Sequence, residues 1–552
     1  MNNFKFVEPR VVGLPRSKMD LSHGVKNTFK TGDLFVIDCQ EILPGDTIDI
    51  DIRSVVKSIT PAVPVMDNSF IDIYFFWVPN RLTYFPSLGA SSTNKTWERI
   101  CGENTSGYWS PNSETIAYTW TPSKCSPNSV LNDLGYPLCT DSNKCVAINP
   151  ACINAYILIW NRFFRDQNLI SPIPVNNGTS FGMLSTSRLK ACKLHDLYTS
   201  CLPAPQKGES VSIPLGSLAP LTISDTYKIG NGIVTGTNPV VLGSSDLGSS
   251  DNFVGQNLVD VSAAGSHKLM GSGALSSSQL SNTKIVDMTN LYADLSDATA
   301  ASINSLRLAV ATQRLLELDA RGGTRYGEQL QSHYNQYISS EFIQDPEYIG
   351  GKREPLTIQT VVQNSSTESG GVLGTLGAAS STFFTTENVV RSFKEAGFLM
   401  IVGTVRTSNT YSQGVPKFMT KTRRFDTFYP EYSHIGEVAV SKNELLMDNT
   451  KISNPVFGYQ EAWYEYYNLP SINKGYFNPD SGDTILKAYT YQEQFTSQPV
   501  LNMSFIQQGT KNFDQTCAVE NSNYHFYADF WLTEFATRQM PAHPTPGLIG
   551  HY

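Results

Sequence analysis

Charge is what this sequence has little of: 16% of its 552 residues are Asp, Glu, Lys or Arg, and the formal net charge is −8. Affinity for phosphate rests largely on Lys and Arg that release counterions, so a net-negative chain is not a dedicated nucleic-acid binder. Any contact with DNA would be local, or supplied by a separate basic partner. No stretch approaches the roughly 18 apolar residues a membrane helix needs, and the start, Met1-Asn2-Asn3-Phe4-Lys5, carries no apolar signal segment. The expectation is a chain with no membrane insertion and no standard secretion signal. The nine cysteines (Cys39, Cys101, Cys125, Cys139, Cys145, Cys152, Cys192, Cys201 and Cys517) include no CxxC pair and are odd in number. They read as reduced thiols of a chain made in a cytoplasm.

Catalytic signatures are missing too. There is no GxSxG, HExxH or GxxxxGK[ST], and no strand followed by GxGxxG. Gly322-Gly323-Thr324-Arg325-Tyr326-Gly327 is glycine-rich but follows helical text, so it reads as a helix stop. The eight histidines are scattered, with no pair at i, i+2 or i+4, and converging metal ligands are not implied. Asp49 and Asp51 share a strand face and read as facing water. Neither a cofactor nor an enzyme activity is expected.

What the chain does have is β text, with aromatics at 11%, 40 Gly and 30 Pro. A turn at Leu43-Pro44-Gly45-Asp46 leads into Thr47-Ile48-Asp49-Ile50-Asp51-Ile52, whose strict alternation marks a strand with one buried face. Phe70-Ile71-Asp72-Ile73-Tyr74-Phe75-Phe76-Trp77-Val78 is apolar at nearly every position and should be covered on both faces. The stretch Gly32 to Arg81 thus opens a sandwich-like core. Strand-like runs return at Phe398–Val405, Phe457–Tyr464 and Val500–Ile506, which implies non-local pairing into one elaborated domain.

Between these runs lie other kinds of text. Residues 1–31 form a mildly basic extended arm, and residues 86–149 a long excursion holding four cysteines. Asn149 can cap a helix with Pro150 at its first position, where Ile153, Tyr156, Ile157, Trp160, Phe163 and Phe164 form a packing stripe. Ile303, Leu306, Val310 and Arg314 predict a helix ending at Gly322-Gly323, and Tyr326, Leu330, Tyr334 and Ile338 a second. From Gly216 to Lys284 the chain turns Gly/Ser-rich around short apolar runs, as in a surface insertion with a few strands of its own. Such an insertion costs little, because loop-closure entropy grows only logarithmically, and exposed insertions are where recognition tends to sit. Lys421-Thr422-Arg423-Arg424, beside Phe425, Phe428 and Tyr429, mixes cations with aromatics as single-stranded nucleic acid requires. A solvated face, or an ion pair with Glu431 or a neighbouring subunit, is the plainer reading. The DNA-facing candidates are Arg10, Arg16 and Lys18 in the arm, with Lys421, Arg423 and Arg424.

Several segments together resemble the major capsid proteins of the Microviridae, small phages with circular single-stranded DNA, and in particular their gokushovirus branch. They include Glu41-Ile42-Leu43-Pro44-Gly45-Asp46-Thr47, Phe75-Phe76-Trp77-Val78-Pro79-Asn80-Arg81-Leu82 and Trp160-Asn161-Arg162-Phe163-Phe164-Arg165-Asp166-Gln167-Asn168-Leu169. Leu318-Asp319-Ala320-Arg321-Gly322-Gly323-Thr324-Arg325-Tyr326, Pro346-Glu347-Tyr348-Ile349-Gly350-Gly351 and Phe457-Gly458-Tyr459-Gln460-Glu461-Ala462 continue the match collinearly. The resemblance implies a mainly β fold, one eight-stranded antiparallel jelly roll whose long loops carry a few helices. It implies self-assembly into a T=1 icosahedral shell around the DNA, made in the bacterial host cytoplasm. A small basic DNA-binding protein and a pilot protein would be partners. Gly216 to Lys284 would be the threefold surface protrusion that meets a host receptor, with a glycan as one candidate. The alternative is a monomeric carbohydrate-binding β protein, supported by Trp97, Trp109 and Trp120 near loop text. An enzyme would need His195 or His434 to meet carboxylates in a closed pocket.

Overall fold

Residues 47–58 keep their alternation in three dimensions: Ile48, Ile50, Ile52, Ser54, Val56 and Ser58 are buried, while Arg53 and Lys57 are exposed. The computed structural model describes residues 15–85, 87–89, 118–211, 221–223, 226–229, 232–235, 291–293, 303–362, 376–448, 455–519 and 522–543. Two sheets carry the core. The strands are β1 (Ser17–Asp20), β2 (His23–Phe29), β3 (Asp33–Ile42), β4 (Thr47–Ser58), β5 (Ser69–Pro79), β6 (Leu189–Lys190), β7 (Glu347–Pro355), β8 (Thr382–Thr385), β9 (Val389–Ser392), β10 (Gly397–Thr407) and β11 (Phe526–Arg538).

In the six-stranded sheet, β11 lies between β4 and the pair β1 and β2, and β8 and β9 share the far edge of β4. In the five-stranded sheet the order is β7-β5-β10-β3-β6, and every pairing is antiparallel. The sheets share one core: Ile48, Ile50 and Ile52 of β4 and Phe526, Phe530 and Leu532 of β11 meet Phe35, Ile71, Ile73, Phe75 and Ile401 from the other sheet. Two sheets packed face to face over interleaved apolar side chains make a β-sandwich.

The five-stranded sheet is apolar on its outer face as well. Leu34, Val36, Phe76, Val78, Met400 and Val402 pack there against helix α1 (Ala151–Ile159) and its neighbours Trp160, Phe181 and Leu184. This double burial accounts for the nearly unbroken apolar text of β5. Gly403 in β10 is a point of close approach, since a Cβ there would stand 2.5 Å from the Phe35 ring.

Local predictions mostly hold at element level and shift at the ends. Asn149 Oδ1 accepts the Ala151 N–H at 3.0 Å, and Pro150 stands at the cap, one place before the helix. Helix α2 (Ile303–Arg321) stops at Gly322, and Gly323 takes φ +94°. Helix α3 (Tyr326–Tyr334) ends at Asn335, left-handed at φ 52°, so Ile338 lies beyond it.

Two expectations fail outright. Val500–Ile506 is no strand: Asn502 Oδ1 caps a helical turn, Met503–Ile506, by accepting the Phe505 N–H at 3.1 Å, a side-chain bond that competes with a ladder. The cysteines are not all thiols either. Cys139 and Cys145 form a disulfide across a sequence separation of 6, a local loop that brings the pair together without any wider framework. Cys39, Cys125, Cys152, Cys192, Cys201 and Cys517 are free, and Cys101 lies outside the described residues. The run Phe457–Tyr464 is strand only over Val456–Gln460.

The chain divides into two compact units, Met1–Lys207 with Glu317–Tyr552, and Gly208–Leu316. Within the second, Leu221–Ile223 pairs with Leu291–Ala293 and Thr226–Ile229 with Gly232–Thr235. The rest of Gly216 to Lys284 lies outside the described residues, as do 90–117 of the excursion and Trp97 and Trp109 with them. Among the described residues, no helix is long and apolar enough to cross a membrane.

Candidate functional site

The segment that joins cations to aromatics is built from short turns. After Pro416, Lys417–Thr420 makes one helical turn, and Arg424–Asp426 a tighter 3-10 turn. Asp426 Oδ2 closes that turn by accepting the N–H groups of Thr422 at 3.0 Å and Arg423 at 2.8 Å. Opposite lies Trp463, at φ 67°, a backbone region that a bulky side chain rarely enters. Its indole Nε1–H donates to the Tyr432 carbonyl at 2.9 Å, and its ring meets Phe428 edge-on with centroids 5.6 Å apart. Tyr464–Tyr466 follow in another 3-10 turn.

These pieces enclose a cavity of about 360 Å³ walled by Phe425, Trp463, Tyr464 and Ile435, with Lys417, Lys421, Asp426 and Glu465 among its polar lining. The Tyr464 hydroxyl donates to the buried Glu444 carboxylate at 2.7 Å, and burial, then that charge, raise the phenol's pKa. Lys417 Nζ lies 3.6 Å from Glu444 and 5.1 Å above the Tyr464 ring.

The sequence-predicted residues separate. Lys421 is committed: its ammonium lies 2.6 Å from Glu465, rather than Glu431, and 4.3 Å above the Tyr466 ring. Burial works against its charge, but the bonds and charges of Glu465 and Tyr466 together outweigh it and raise its pKa. Arg423 and Arg424 are exposed, and the Arg424 guanidinium lies 6.0 Å from the Phe425 ring and 5.9 Å from Tyr429. Arg16 donates to the Gly45 carbonyl, and Lys18 stands 4.0 Å over the Phe535 ring, both at the β1 edge of the sandwich. Arg10 lies outside the described residues. Trp463, Glu465 and Tyr466 were not singled out from the sequence, although the aromatic run Trp463-Tyr464-Glu465-Tyr466-Tyr467 was a signal.

The wider surface of the larger unit is unusual for a monomer. Phe342, Tyr337, Leu469, Tyr476 and Phe418 are each more than 60% exposed, and large apolar side chains left in water are the material of an interaction surface. Among the described residues, no three His, Cys, Asp or Glu side chains converge to hold a metal.

The sequence matches the family model described as "Capsid protein (F protein)" over residues 10–548. The chain belongs to the F capsid protein family of the Microviridae. It is 35% identical to capsid protein VP1 of Bdellovibrio phage phiMH2K over 561 residues, covering 100% of this chain and 99% of that one. Capsid protein VP1 of Spiroplasma virus 4 is 29% identical, covering 97% and 96%, and that of Chlamydia phage 1 is 29% identical, covering 99% and 97%. The family and these relatives are structural proteins of phage particles, and they match this capsid chain from end to end. The exposed aromatics accordingly belong to a protein of the virion.

Proposed function

We propose that this chain is the major capsid protein of a gokushovirus-like phage, that its sandwich is a jelly roll, and that copies of it close into a T=1 shell around circular single-stranded DNA. Strand order supports the jelly roll. With β1 and β2 taken as one broken strand, and β8 and β9 as another, eight strands remain once the two-residue β6 is set aside. They run 1-8-3-6 in one sheet and 2-7-4-5 in the other, two interlocked Greek keys as in viral capsid domains.

The observation that carries assembly is the exposed apolar surface. Permanent interfaces typically bury more than about 2,000 Å², and a lone chain with this much aromatic surface in water would associate. The DNA would be held by local cations, Arg16, Lys18, Arg423 and Arg424 among them, and by a small basic protein of the same virus, with a pilot protein as a further partner. The insertion Gly216 to Lys284 would be the host-attachment protrusion, with a surface glycan as a candidate receptor. Electron microscopy of the purified chain, with and without its viral partners, is the test. Closed shells or symmetric oligomers are expected; monomer persisting at high concentration beside those partners would sink the reading.

A further inference from the structure

We propose that the cavity between Phe425 and Trp463 is a slot for one unstacked base of single-stranded DNA, with Arg423 and Arg424 on the flanking phosphates. This rests on the capsid reading and names a site within it. The cavity, at about 360 Å³, falls among pockets that hold small organic ligands, roughly 300–1,000 Å³. Phe425, Trp463 and Tyr464 give it three flat rings among its walls, and bases of every kind stack on such rings. Trp463 is kept at φ 67° by its bond to Tyr432 and its contact with Phe428, and strained backbone of this sort concentrates at functional sites.

Charge is distributed as a nucleotide requires. Inside, Lys417 is matched by Glu444 and Lys421 by Glu465, while the Asp426 carboxylate adds one negative charge to the lining, so the slot suits a base and repels a phosphate. Outside, no ion pair holds Arg423 or Arg424 among the described residues. Arg424 lies beside Phe425 and Tyr429, where stacking leaves guanidinium N–H groups to meet phosphate. Asp426 and Glu465 line the slot, and carboxylates accept from exocyclic amino groups, which cytosine and adenine carry and thymine lacks. The slot therefore favours amino-bearing bases. A second copy of the chain fits this face less well, because it would have to bury two unmatched guanidinium groups.

The test is fluorescence anisotropy of the full-length chain with short labelled oligodeoxycytidine and oligodeoxythymidine, with particle formation followed in the same preparations. Oligodeoxycytidine is expected to bind more tightly. Phe425→Ala should weaken it by roughly 5- to 150-fold, the worth of one stacked base, while Trp463→Phe, which keeps a ring, should retain most of the affinity. The Arg423→Ala/Arg424→Ala pair should flatten the dependence of log affinity on log salt by about 1.4, at about 0.7 per phosphate contact on a single strand. No oligonucleotide binding by the unaltered chain, equal binding of the two oligonucleotides, or unchanged affinity in Phe425→Ala would each overturn the proposal. Unchanged affinity joined to failed assembly would make the face a subunit interface. Particles that form normally in any of these cases leave the capsid reading standing, and absence of particles from the unaltered chain with its partners removes that reading independently.

Discussion

Arg188 donates to the Asp133 carboxylate at 2.6 Å with both side chains only 1% exposed. The same guanidinium reaches the Thr28 carbonyl at 2.9 Å, and Asp133 also accepts from the Val36 N–H at 3.2 Å. One buried pair thus ties strands β2 and β3 to two places in the covering loops. Burial raises the Asp133 carboxyl against the pull of Arg188, so the carboxylate depends on its partner. Arg188→Met, which strands a buried charge, should cost about 3–5 kcal/mol, while the double variant Arg188→Met/Asp133→Leu should recover much of it. Urea unfolding of the three chains checks this; equal stability of the single and double variants would contradict it.

Glu534 sets a pH dependence. Its side chain is fully buried on β11, and burial first, with Asp38 adding to it, pushes its carboxyl up to about 7 from 4.5, against the Gln40 amide, His23 and Arg538. A carboxyl whose folded pKa is raised stabilises the fold fully below its unfolded value, and that contribution is lost as pH rises to the folded one. The window is about pH 4.5 to 7, and the amount is on the order of 3 kcal/mol. Thermal melting across that range should show the loss, and Glu534→Gln should flatten the profile. Because the Glu534 carbonyl accepts the Leu21 N–H at 2.9 Å, β1 is expected to loosen first.

The cysteines should react in two classes. Without reductant, peptide mapping is expected to find Cys139 joined to Cys145, and Cys139→Ser should leave Cys145 open to alkylation. Burial pushes the Cys517 thiol up to about 12 and Cys192 up to about 11, so both should resist alkylation in the folded chain. Full alkylation of Cys139 in the unreduced native protein would refute the bridge.

Deletion of residues 220–280 is expected to leave shell formation largely intact and abolish adsorption to host cells. Residues 208–316 make a compact unit of their own, and their described strands pair only with one another. Particle yield and adsorption are read together. Loss of folding would assign the segment to the core.

The amino-acid sequence by itself determined several of the core strands, β4, β5 and β10 among them, and the class. Period-two text forced β4 to bury one face, the unbroken apolar run of β5 required cover on both, and collinear motifs named the family. It also determined where α2 stops, because Gly323 adopts a positive φ at no steric cost.

Tertiary structure decided which distant strands pair, since the choice among β text hundreds of residues apart depends on which faces interlock over one core. It turned Val500–Ile506 into a capped turn, where Asn502 offered the backbone a nearer acceptor than a ladder would. It also divided the basic cluster. Lys421 and Arg423 look alike as letters, but Glu465 lies 44 residues away from Lys421 in sequence and 2.6 Å away in space. Only the fold could show that one cation is matched and the other faces outward.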